Sequence, residues 1–597
     1  MQMQNIDVFE RYNLYILPEK FFIEPRDRDG GLASTRYIEI DRISTNIRVR
    51  DQNEERIRVA DAEIKLIYGV VGTIQLVAGP SLIVINRAKQ VGSIMGHDVW
   101  QMEGAEVIPY RRTTAHLTDK QALHERHFQD LLTLVLLQPG FYFCYSFDLT
   151  RSLQWLSENA NPEFRKLSLI ERADPRFVWN GYLLSQLRSI RDAVQFCLPL
   201  MHGFYGSRRV RIGGHICWLT LISRRSIQSA GVRFHKRGVN AEGQPANFVE
   251  TEQIVHPDGD TNALASFVQL RGSIPLFWSQ KPNLRWQPCP MLKPADDQLQ
   301  AYVKHFESQR QLYGGNHVIV NLVNQKGREN KVGGELERIS LQANLQYVRH
   351  HGFDFHRECG AMQWERLSIL KNQLTKEIAS FGFFATSSLN PSINQTQLGY
   401  FRSNCMDCLD RTNVVQSMLA RAVLPLQLGA LGFVSPQSFE VVSNADLEEA
   451  FKNLWADNGD QCSKQYAGTG ALKSDYTRLG KRTYVGALND GVNAITRYFR
   501  NNFADGNRQD AIDLFLGNFR VDVTNLPTNF DATLLALNQQ GVAILAAAVA
   551  MSMTVLCILV AENYSATFFW LCVFGLCMAF IVLNGEDFVN SPKLKKD

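Results

Sequence analysis

The sequence predicts a mixed α+β and α/β protein, in which a β-rich module packs on an α/β domain and two membrane helices follow. Short β-branched runs, separated by glycines and charged turns, fill roughly the first 120 residues. Further along, nearly continuous apolar strands alternate with amphipathic helical runs, as in an α/β sheet. Two apolar runs near the C-terminus are each about as long as a helix that crosses a bilayer.

A chain of 597 residues is long enough for two or three domains, and these patterns divide it into six segments. They are an N-terminal module at 1–180, an α/β domain at 181–516, a linker at 517–540, membrane helices at 541–561 and 567–584, and a tail at 585–597. The predicted strands include 37–40, 63–68, 72–78, 81–85, 216–222, 317–323 and 353–360. A helix is expected after Asn413, and a last helix of the α/β domain from 489 to about 516.

Charge and cysteine content restrict the possible partners. The net charge of +4 results from 63 basic and 59 acidic residues, so the chain as a whole is not suited to bind a polyanion, and we expect no nucleic-acid partner. Eleven cysteines are scattered without a regular disulfide framework, which indicates a reducing, cytosolic environment for the main body. Attraction to acidic ligands must therefore come from local clusters.

The most informative stretch runs from Cys405 to Asn413 and reads Cys-Met-Asp-Cys-Leu-Asp-Arg-Thr-Asn. A strand-like segment precedes it and a helix-like run follows, which predicts a loop closed by a helix N-terminus. Backbone N–H groups from Met406 to Arg411 can then point at an anion, and the same field favours the thiolate of Cys405. The guanidinium of Arg411 can bind two phosphate oxygens at once.

The pattern predicts in-line attack of Cys405 on a phosphate monoester, followed by hydrolysis of the cysteinyl phosphate. A general acid must protonate the leaving alkoxide, and Asp407 is our first choice. Asp410 could instead fix the side chain of the neighbouring arginine. The hydroxyl of Thr412 could help to release phosphate from the sulfur.

Two alternatives concern this loop. Asp457 and Asp460 rival Asp407 as the general acid, because the stretch that contains them is comparable with the separate acid loop of tyrosine phosphatases. Cys405 and Cys408 could also form a redox Cys-x-x-Cys pair, although nothing nearby resembles a thioredoxin βαβ unit.

Polar residues outside the loop provide further candidates. Asp354 and His356 lie on one face of the predicted strand 353–360, but no further ligands follow at metal-binding spacing. We therefore interpret His356 as a residue that lines the phosphate pocket, and we expect no metal and no other cofactor. Lys326 follows the strand 317–323 at the end where α/β sheets bind ligands, so it is either a phosphate contact or a solvated loop lysine.

The string from Cys405 to Asn413 closely resembles the signature of the Sac-domain phosphoinositide phosphatases. Stretches at 69–80, 174–184, 231–252, 267–278, 353–360 and 465–482 are also similar to that family. The resemblance spans roughly residues 1–585. It implies an N-terminal Sac module packed on a cysteine-phosphatase-like α/β domain. It also implies metal-independent hydrolysis of phosphatidylinositol monophosphates, chiefly the 4-phosphate and also the 3-phosphate.

The resemblance further implies which residues surround the substrate. Besides the catalytic Cys405, Asp407 and Arg411, the loop residues expected to bind it are Met406, Cys408, Leu409, Asp410, Thr412 and Asn413. The residues expected around the rest of the pocket are His356, then Lys473, Arg478 and Lys481 on a basic rim, with Arg233 and Asn247 framing the site. The stretch 465–482 that carries this rim contains three glycines, which a mobile surface loop would explain. A mobile loop would not explain why the stretch is similar to the family.

The C-terminal end predicts a membrane anchor, with a buried helical hairpin as the alternative. Two spans joined by a short turn have both ends on one side, and the basic tail places that side in the cytosol together with the large domain. Lys593 and Lys595 match the Lys-x-Lys-x-x retrieval pattern that coatomer binds, although flanking positive charge would also explain them. We therefore expect a multi-pass protein of the endoplasmic reticulum membrane that can cycle to the Golgi.

Two other functions remain open. The chain could be a membrane-anchored protein tyrosine or dual-specificity phosphatase, or a non-catalytic tether that binds phosphoinositides. A linker of about 24 flexible residues would hold the domain on the order of 25 Å from the bilayer. Such proximity favours a lipid head group over a soluble phosphoprotein.

Overall fold

The computed structural model describes residues 8–594 apart from 56, 58–61, 213, 261, 361–362, 388–391, 393, 408, 435–443, 480–482, 528–538 and 561–563. The strands are β1 (Arg11–Ile16), β2 (Lys20–Arg26), β3 (Arg36–Asp41), β4 (Ile47–Asp51), β5 (Glu63–Ile67), β6 (Gly69–Gln75), β7 (Pro80–Ile94), β8 (His97–Pro109), β9 (Phe141–Phe143), β10 (Met201–Ile212), β11 (His215–Arg225), β12 (Val249–Pro257), β13 (Leu264–Arg271), β14 (Trp278–Ser279), β15 (Met291–Leu292), β16 (Asn316–Asn321), β17 (Val348–Gly352), β18 (Phe384–Thr386) and β19 (Gly399–Asn404).

The helices are α1 (Asp119–Leu136), α2 (Leu153–Asn159), α3 (Leu169–Arg172), α4 (Ser185–Arg188), α5 (Ala295–Tyr313), α6 (Asn330–Ala343), α7 (Phe355–Glu358), α8 (Leu367–Gln373), α9 (Thr375–Phe381), α10 (Asp410–Ala430), α11 (Ala445–Ala467), α12 (Ser474–Leu479), α13 (Tyr484–Phe503), α14 (Asp505–Phe515), α15 (Gln539–Val560) and α16 (Tyr564–Leu583).

Two sheets organise the chain. β1–β5 form a small antiparallel sheet in the order β4-β3-β2-β1-β5, and a twelve-stranded sheet has the order β17-β16-β19-β13-β12-β11-β10-β9-β8-β7-β6, with β18 on β13. The large sheet is antiparallel from β6 to β13, and β19 then inserts in parallel between β13 and β16. Because β9 pairs with β10, the sheet is continuous across residue 180. The β-rich module and the α/β domain therefore share one sheet, and the predicted mixed fold is confirmed.

The end of the sheet that carries β19 is fixed by an apolar core. Val318 and Val320 of β16 and Phe401 of β19 pack in one cluster with Val415 and Leu419 of α10. The last two residues lie four positions apart, so they form one stripe along the helix. Burial of this stripe sets the N-terminus of α10 directly beyond the carboxyl end of β19, the edge where α/β sheets bind ligands.

Most predicted strands are confirmed, but two predicted elements are wrong. The stretch 353–360 is not a strand, because β17 ends at Gly352 and Asp354 then accepts a hydrogen bond from the N–H of Arg357 as the N-cap of α7. The helix expected from 489 to about 516 is interrupted at Ala504, which separates α13 from α14. A capping side chain causes the first difference and an interruption of the helix causes the second, and hydrophobic periodicity reveals neither.

α15 and α16 are long and apolar enough to cross a membrane by length and composition. After them the chain returns to the main body. The carboxylate of Asp510 accepts hydrogen bonds from the N–H groups of Lys593 and Leu594 at 2.8–3.0 Å, and Leu594 is buried beside α14. The N–H of Asn590 donates to the carbonyl of Asn502 at 2.6 Å. The described part of the tail is therefore docked on the domain.

The segment 517–527, predicted as the first half of a flexible linker, is also docked. Phe519 stacks on Phe128 of α1 with ring centroids 6.0 Å apart, and the imidazole Nε2 of His124 lies 3.0 Å from the carbonyl oxygen of Pro527. The linker expectation is wrong for these residues. The rest of the predicted linker, apart from the first residues of α15, lies outside the described residues.

Candidate active site

Cys405 lies at the first position after β19, between that strand and α10. The hydroxyl of Thr412 donates to its sulfur at 3.6 Å. α10 begins at Asp410, so the N–H groups of its first turn have no acceptor within the helix and the helix dipole favours negative charge there. The predicted sequence of strand, loop and helix around Cys405 is confirmed.

Arg411 is held beside this sulfur by Glu329, which lies in the loop after β16. Its Nη1 and Nη2 donate to the two carboxylate oxygens at 2.9 and 2.8 Å, and Nη1 also donates to the carbonyl of Leu322 at 3.1 Å. Burial disfavours the charged guanidinium, but Glu329 and the nearby Cys405 sulfur outweigh it and raise the pKa of Arg411. A positive charge is therefore fixed at the site.

The contacts of Arg411 leave one donor edge for a ligand. Glu329 occupies the edge formed by the two terminal nitrogens, whereas no contact between described residues engages Nε. A guanidinium has five N–H donors. The edge formed by Nε and the second N–H of Nη2 can therefore bind two oxygens of one phosphate.

Asp407 forms ion pairs with two arginines from the segment that follows β11. The Nη2 groups of Arg233 and Arg237 each donate to one of its carboxylate oxygens at 2.6 Å. Burial would raise the pKa of Asp407, but the adjacent charges of both arginines hold it well below its usual range. Asp407 is thus an ionised hydrogen-bond acceptor in this state and does not carry the proton that the general-acid role requires.

Arg237 is itself held rigidly. Its Nη1 donates to the carbonyl of Met406 at 2.7 Å and its Nη2 donates to the side-chain oxygen of Gln280 at 2.8 Å. The guanidinium also lies 5.3 Å from the ring centroid of Trp278. This buried arginine therefore fixes the conformation of the loop that follows Cys405.

Little of Cys405 is accessible in this state. Cys405 is 3% exposed, and neither of the two cavities described for this chain is lined by the loop after β19. The larger cavity, about 1870 Å³, lies in the N-terminal module, and the smaller one lies around Tyr313 and Tyr400. The side chains of Asp407 and Arg233 are partly exposed, whereas that of Arg237 is almost completely buried.

Comparison with known proteins identifies the family. Residues 68–360 match the SacI homology domain. The chain is 44% identical to the phosphatidylinositol-3-phosphatase SAC1-A of Danio rerio, over 98% of both chains. It is 41% identical to the phosphatidylinositol-3-phosphatase SAC1 of Drosophila melanogaster, over 98% of this chain and 97% of that protein. The protein of the same name from Saccharomyces cerevisiae is 36% identical, over 89% of this chain and 86% of its own length.

The chain belongs to the Sac-domain phosphoinositide phosphatases. The resemblance carried by the loop after β19 is thereby confirmed, and so is the assignment to the phosphoric monoester hydrolases. Two apolar C-terminal helices that fit a membrane anchor accompany the Sac domain.

The rival acids of this Sac-domain phosphatase do not lie in a separate acid loop. Asp457 and Asp460 are in the middle of α11, a continuous helix. The Nη2 of Arg478 donates to both carboxylates, at 2.7 and 3.2 Å. The predicted similarity to the acid loop of tyrosine phosphatases is therefore wrong, because these two residues belong to a helix and not to a loop. Arg478, predicted on the basic rim, is paired with α11 in this state.

Two other loop residues have structural partners that the sequence did not predict. Asp410 accepts hydrogen bonds from the N–H of Leu472 at 3.0 Å and from Nη1 of Arg497 at 3.4 Å. It therefore holds the segment after α11, whereas Glu329 fixes Arg411, so the alternative role for Asp410 is wrong. Asn413 is buried, and its amide donates to the carbonyl of Trp455 at 2.8 Å, which joins α10 to α11.

The remaining predicted residues have different surroundings. His356 lies near Arg411, and burial together with that positive charge and Lys473 lowers its pKa. Its Nδ1 is 2.8 Å from the side-chain oxygen of Asn324. Met406 and Leu409 are buried, the second against Tyr466. Cys408 and Lys481 lie outside the described residues, so the redox alternative and that part of the rim stay predictions.

Sequence reasoning missed Glu329 and Arg237. Arg233 was expected near the site and faces Asp407, but Arg237, four residues later, was not among the expected site residues although it also binds Asp407. Lys326, left open between a phosphate contact and a solvated loop lysine, is exposed, and the same loop provides Glu329 to Arg411. Asn247 is buried with a φ of 50°, and its side chain makes no hydrogen bond to those residues of the loop after β19 that the structure describes.

Proposed function

We propose that this phosphatase hydrolyses phosphatidylinositol 4-phosphate, and also the 3-phosphate, to phosphatidylinositol through a cysteinyl-phosphate intermediate. The observation that carries the proposal is the hydrogen bond from Thr412 to the sulfur of Cys405, beside the arginine that Glu329 holds. A hydrogen bond to the sulfur, the N-terminus of α10 and a fixed guanidinium all favour the thiolate.

Substrate binding requires an exchange of partners at Asp407. A phosphate monoester brings up to two negative charges, so Arg233, which is more exposed than the rigidly held Arg237, can move from the carboxylate to the phosphate oxygens. Asp407 then loses one of its two favourable neighbours and lies beside a dianion, and both changes raise its pKa. It takes up a proton from solvent as Arg233 leaves. In this proposal, Asp407 becomes a general acid only when the substrate is bound.

The reaction then proceeds in two balanced steps. The thiolate of Cys405 bonds to phosphorus while the bond between phosphorus and the inositol oxygen breaks, and that oxygen takes the proton of Asp407. Water next attacks phosphorus and gives its proton to Asp407, the bond to sulfur breaks, and phosphate leaves. Thr412 donates its hydrogen bond to the sulfur as negative charge returns to it.

Phosphate release from every phosphoinositide isomer by the full chain, reconstituted in vesicles, tests the proposal. We expect the 4-phosphate and the 3-phosphate to be hydrolysed faster than the other isomers and faster than a phosphotyrosine peptide. Several relatives are named 3-phosphatases, so a stronger preference for the 3-phosphate would correct the order of the two substrates. A preference for the peptide would indicate a protein phosphatase, and binding without release of phosphate would indicate a tether.

We also propose that the protein resides in the endoplasmic reticulum membrane, with the domain and tail in the cytosol, and that coatomer binds the tail through Lys593 and Lys595. The docked conformation constrains this interaction, because Asp510 holds the backbone of Lys593. Replacing both lysines by alanine should move the full chain from the endoplasmic reticulum to the Golgi in imaged cells. An unchanged distribution would contradict the retrieval signal.

A further inference from the structure

α13 is inverted relative to an ordinary surface helix. Its large apolar side chains point outward and are between 49% and 97% exposed. They are Tyr484, Val485, Leu488, Val492, Ile495, Phe499 and Phe503, which we call the apolar face of α13. Their spacing of three and four residues places them on one stripe of the helix. A contiguous exposed apolar stripe of this length indicates an interaction surface.

The opposite side of α13 is polar and buried. The guanidinium of Arg497 donates to the hydroxyls of Thr469 and Ser463 at 2.8 Å each, and to the carbonyl of Gly470 at 2.8 Å. It also reaches Asp410 at the start of α10 at 3.4 Å. These bonds fix the rotation of the helix, so the apolar face cannot turn inward without breaking a buried network.

The surroundings of the apolar face point to a bilayer. Trp286, 61% exposed, stacks on Tyr498 of α13 with ring centroids 5.6 Å apart, and Lys281 and Arg285 of the same loop are exposed. Aromatic and cationic side chains beside an apolar stripe are typical of a helix that lies in the membrane interface. Gly585, two residues after α16, lies directly against this loop.

The contact of Gly585 with this loop indicates which partner covers the apolar face of α13. The apolar face ends at Phe503, next to Asn502, which binds the backbone of Asn590 in the docked tail. The chain therefore leaves its apolar hairpin beside the same end of α13. The bilayer that contains the hairpin is therefore brought to this end of α13 by the chain itself, whereas a second copy of the chain or another protein would be an additional partner.

We propose that α13 lies in the surface of the bilayer that holds the hairpin and orients the active site toward it. The position of α13 in the membrane does not depend on the proposed function. Only its consequence, the supply of lipid substrate to the active site, rests on that function. Arg497 connects the buried side of α13 to Asp410 and to the segment after α11, so a helix seated in the interface holds the loop after β19 next to lipid head groups. Substrate is then taken from the same membrane.

The test compares a double variant of the apolar face with a single control variant elsewhere on the surface, both in the full chain. Leu488→Asp with Ile495→Asp alters the apolar face, and Leu341→Asp on α6 is the matched control, since Leu488 and Leu341 are 70% and 77% exposed. In vesicles, we expect turnover of long-chain phosphatidylinositol 4-phosphate to fall about tenfold in the double variant and to stay within about twofold in the control. Turnover of a soluble short-chain analogue should be unchanged in both.

A direct contact measurement completes the test. A photocrosslinking residue at Val492 should attach to lipid in the vesicles, and the same residue at Leu341 should not. Equal loss on long-chain and short-chain substrates would indicate a structural role for α13 and overturn the proposal, as would crosslinking of Val492 to a second copy of the chain. If the unaltered protein hydrolyses neither substrate, the proposed function fails. Lipid crosslinking at Val492 would still show whether α13 lies in the surface of the bilayer.

Discussion

Replacing Cys405 by serine is expected to reduce hydrolysis of phosphatidylinositol 4-phosphate to below about one part in 10⁴, as when other enzymes lose their nucleophile. An alcohol remains protonated where a thiol ionises, so neither the N-terminus of α10 nor Arg411 can activate it in the same way. Binding should persist, because the phosphate donors of the loop and of Arg411 are unchanged. Phosphate release and binding of a short-chain analogue, measured on the same full-length sample, check both expectations.

The control is Cys217→Ser, which changes a buried thiol of β11 far along the chain from the loop. This variant should retain turnover close to that of the unaltered protein. If Cys405→Ser keeps more than a few per cent of the activity while its fold is intact, the nucleophile is a different residue. If it loses binding as well, the sulfur contributes to affinity and the proposed division between binding and chemistry is wrong.

Replacing Asp407 by asparagine is expected to slow turnover by about 10²–10⁴-fold, the usual contribution of general acid–base catalysis. The effect should depend on the leaving group. An inositol alkoxide needs a proton, whereas p-nitrophenolate leaves without one, so the aryl phosphate should lose much less activity. Rates with both substrates, each normalised to the unaltered protein, provide the measurement.

Stability must be measured in the same variant. The depressed pKa of Asp407 means that its ion pairs stabilise the fold above its ordinary pKa and that this contribution is lost only in strong acid. Asp407→Asn removes the carboxylate from the buried Arg237 at neutral pH, which should cost roughly 3 kcal/mol of the free energy of unfolding. Kinetics therefore belong at a temperature where thermal melts show the variant folded.

Asp457→Asn is the matched control for the acid. Asp457 lies within α11 and is paired with Arg478, so its replacement should leave the dependence on the leaving group unchanged. If Asp457→Asn slows the inositol substrate selectively and Asp407→Asn does not, the acid acts from α11, and Asp407 serves only to hold Arg233 and Arg237 beside the loop after β19.

Local sequence patterns were sufficient for much of the fold. Alternation and β-branching predicted β3, β5, β6, β7, β11 and β16, and the apolar stripe after Asn413 predicted α10. Each of these elements buries one continuous apolar set, so its periodicity is visible in the chain itself. The prediction failed at 353–360, where alternation is present but Asp354 caps a helical turn instead. A capping hydrogen bond is decided by a single side chain and leaves no periodic signal.

Short strings of the sequence were enough to predict the loop after β19, the arginine within it, the hydroxyl that contacts the sulfur and the two apolar helices. All of these depend on residues that are neighbours in the chain. The pairing of Glu329 with Arg411, the pairing of Arg233 and Arg237 with Asp407, and the outward direction of the apolar face of α13 became visible only in the assembled fold. Those pairings join residues up to 174 positions apart, and their electrostatic effects depend on distances and burial that arise only when the strands of the large sheet assemble.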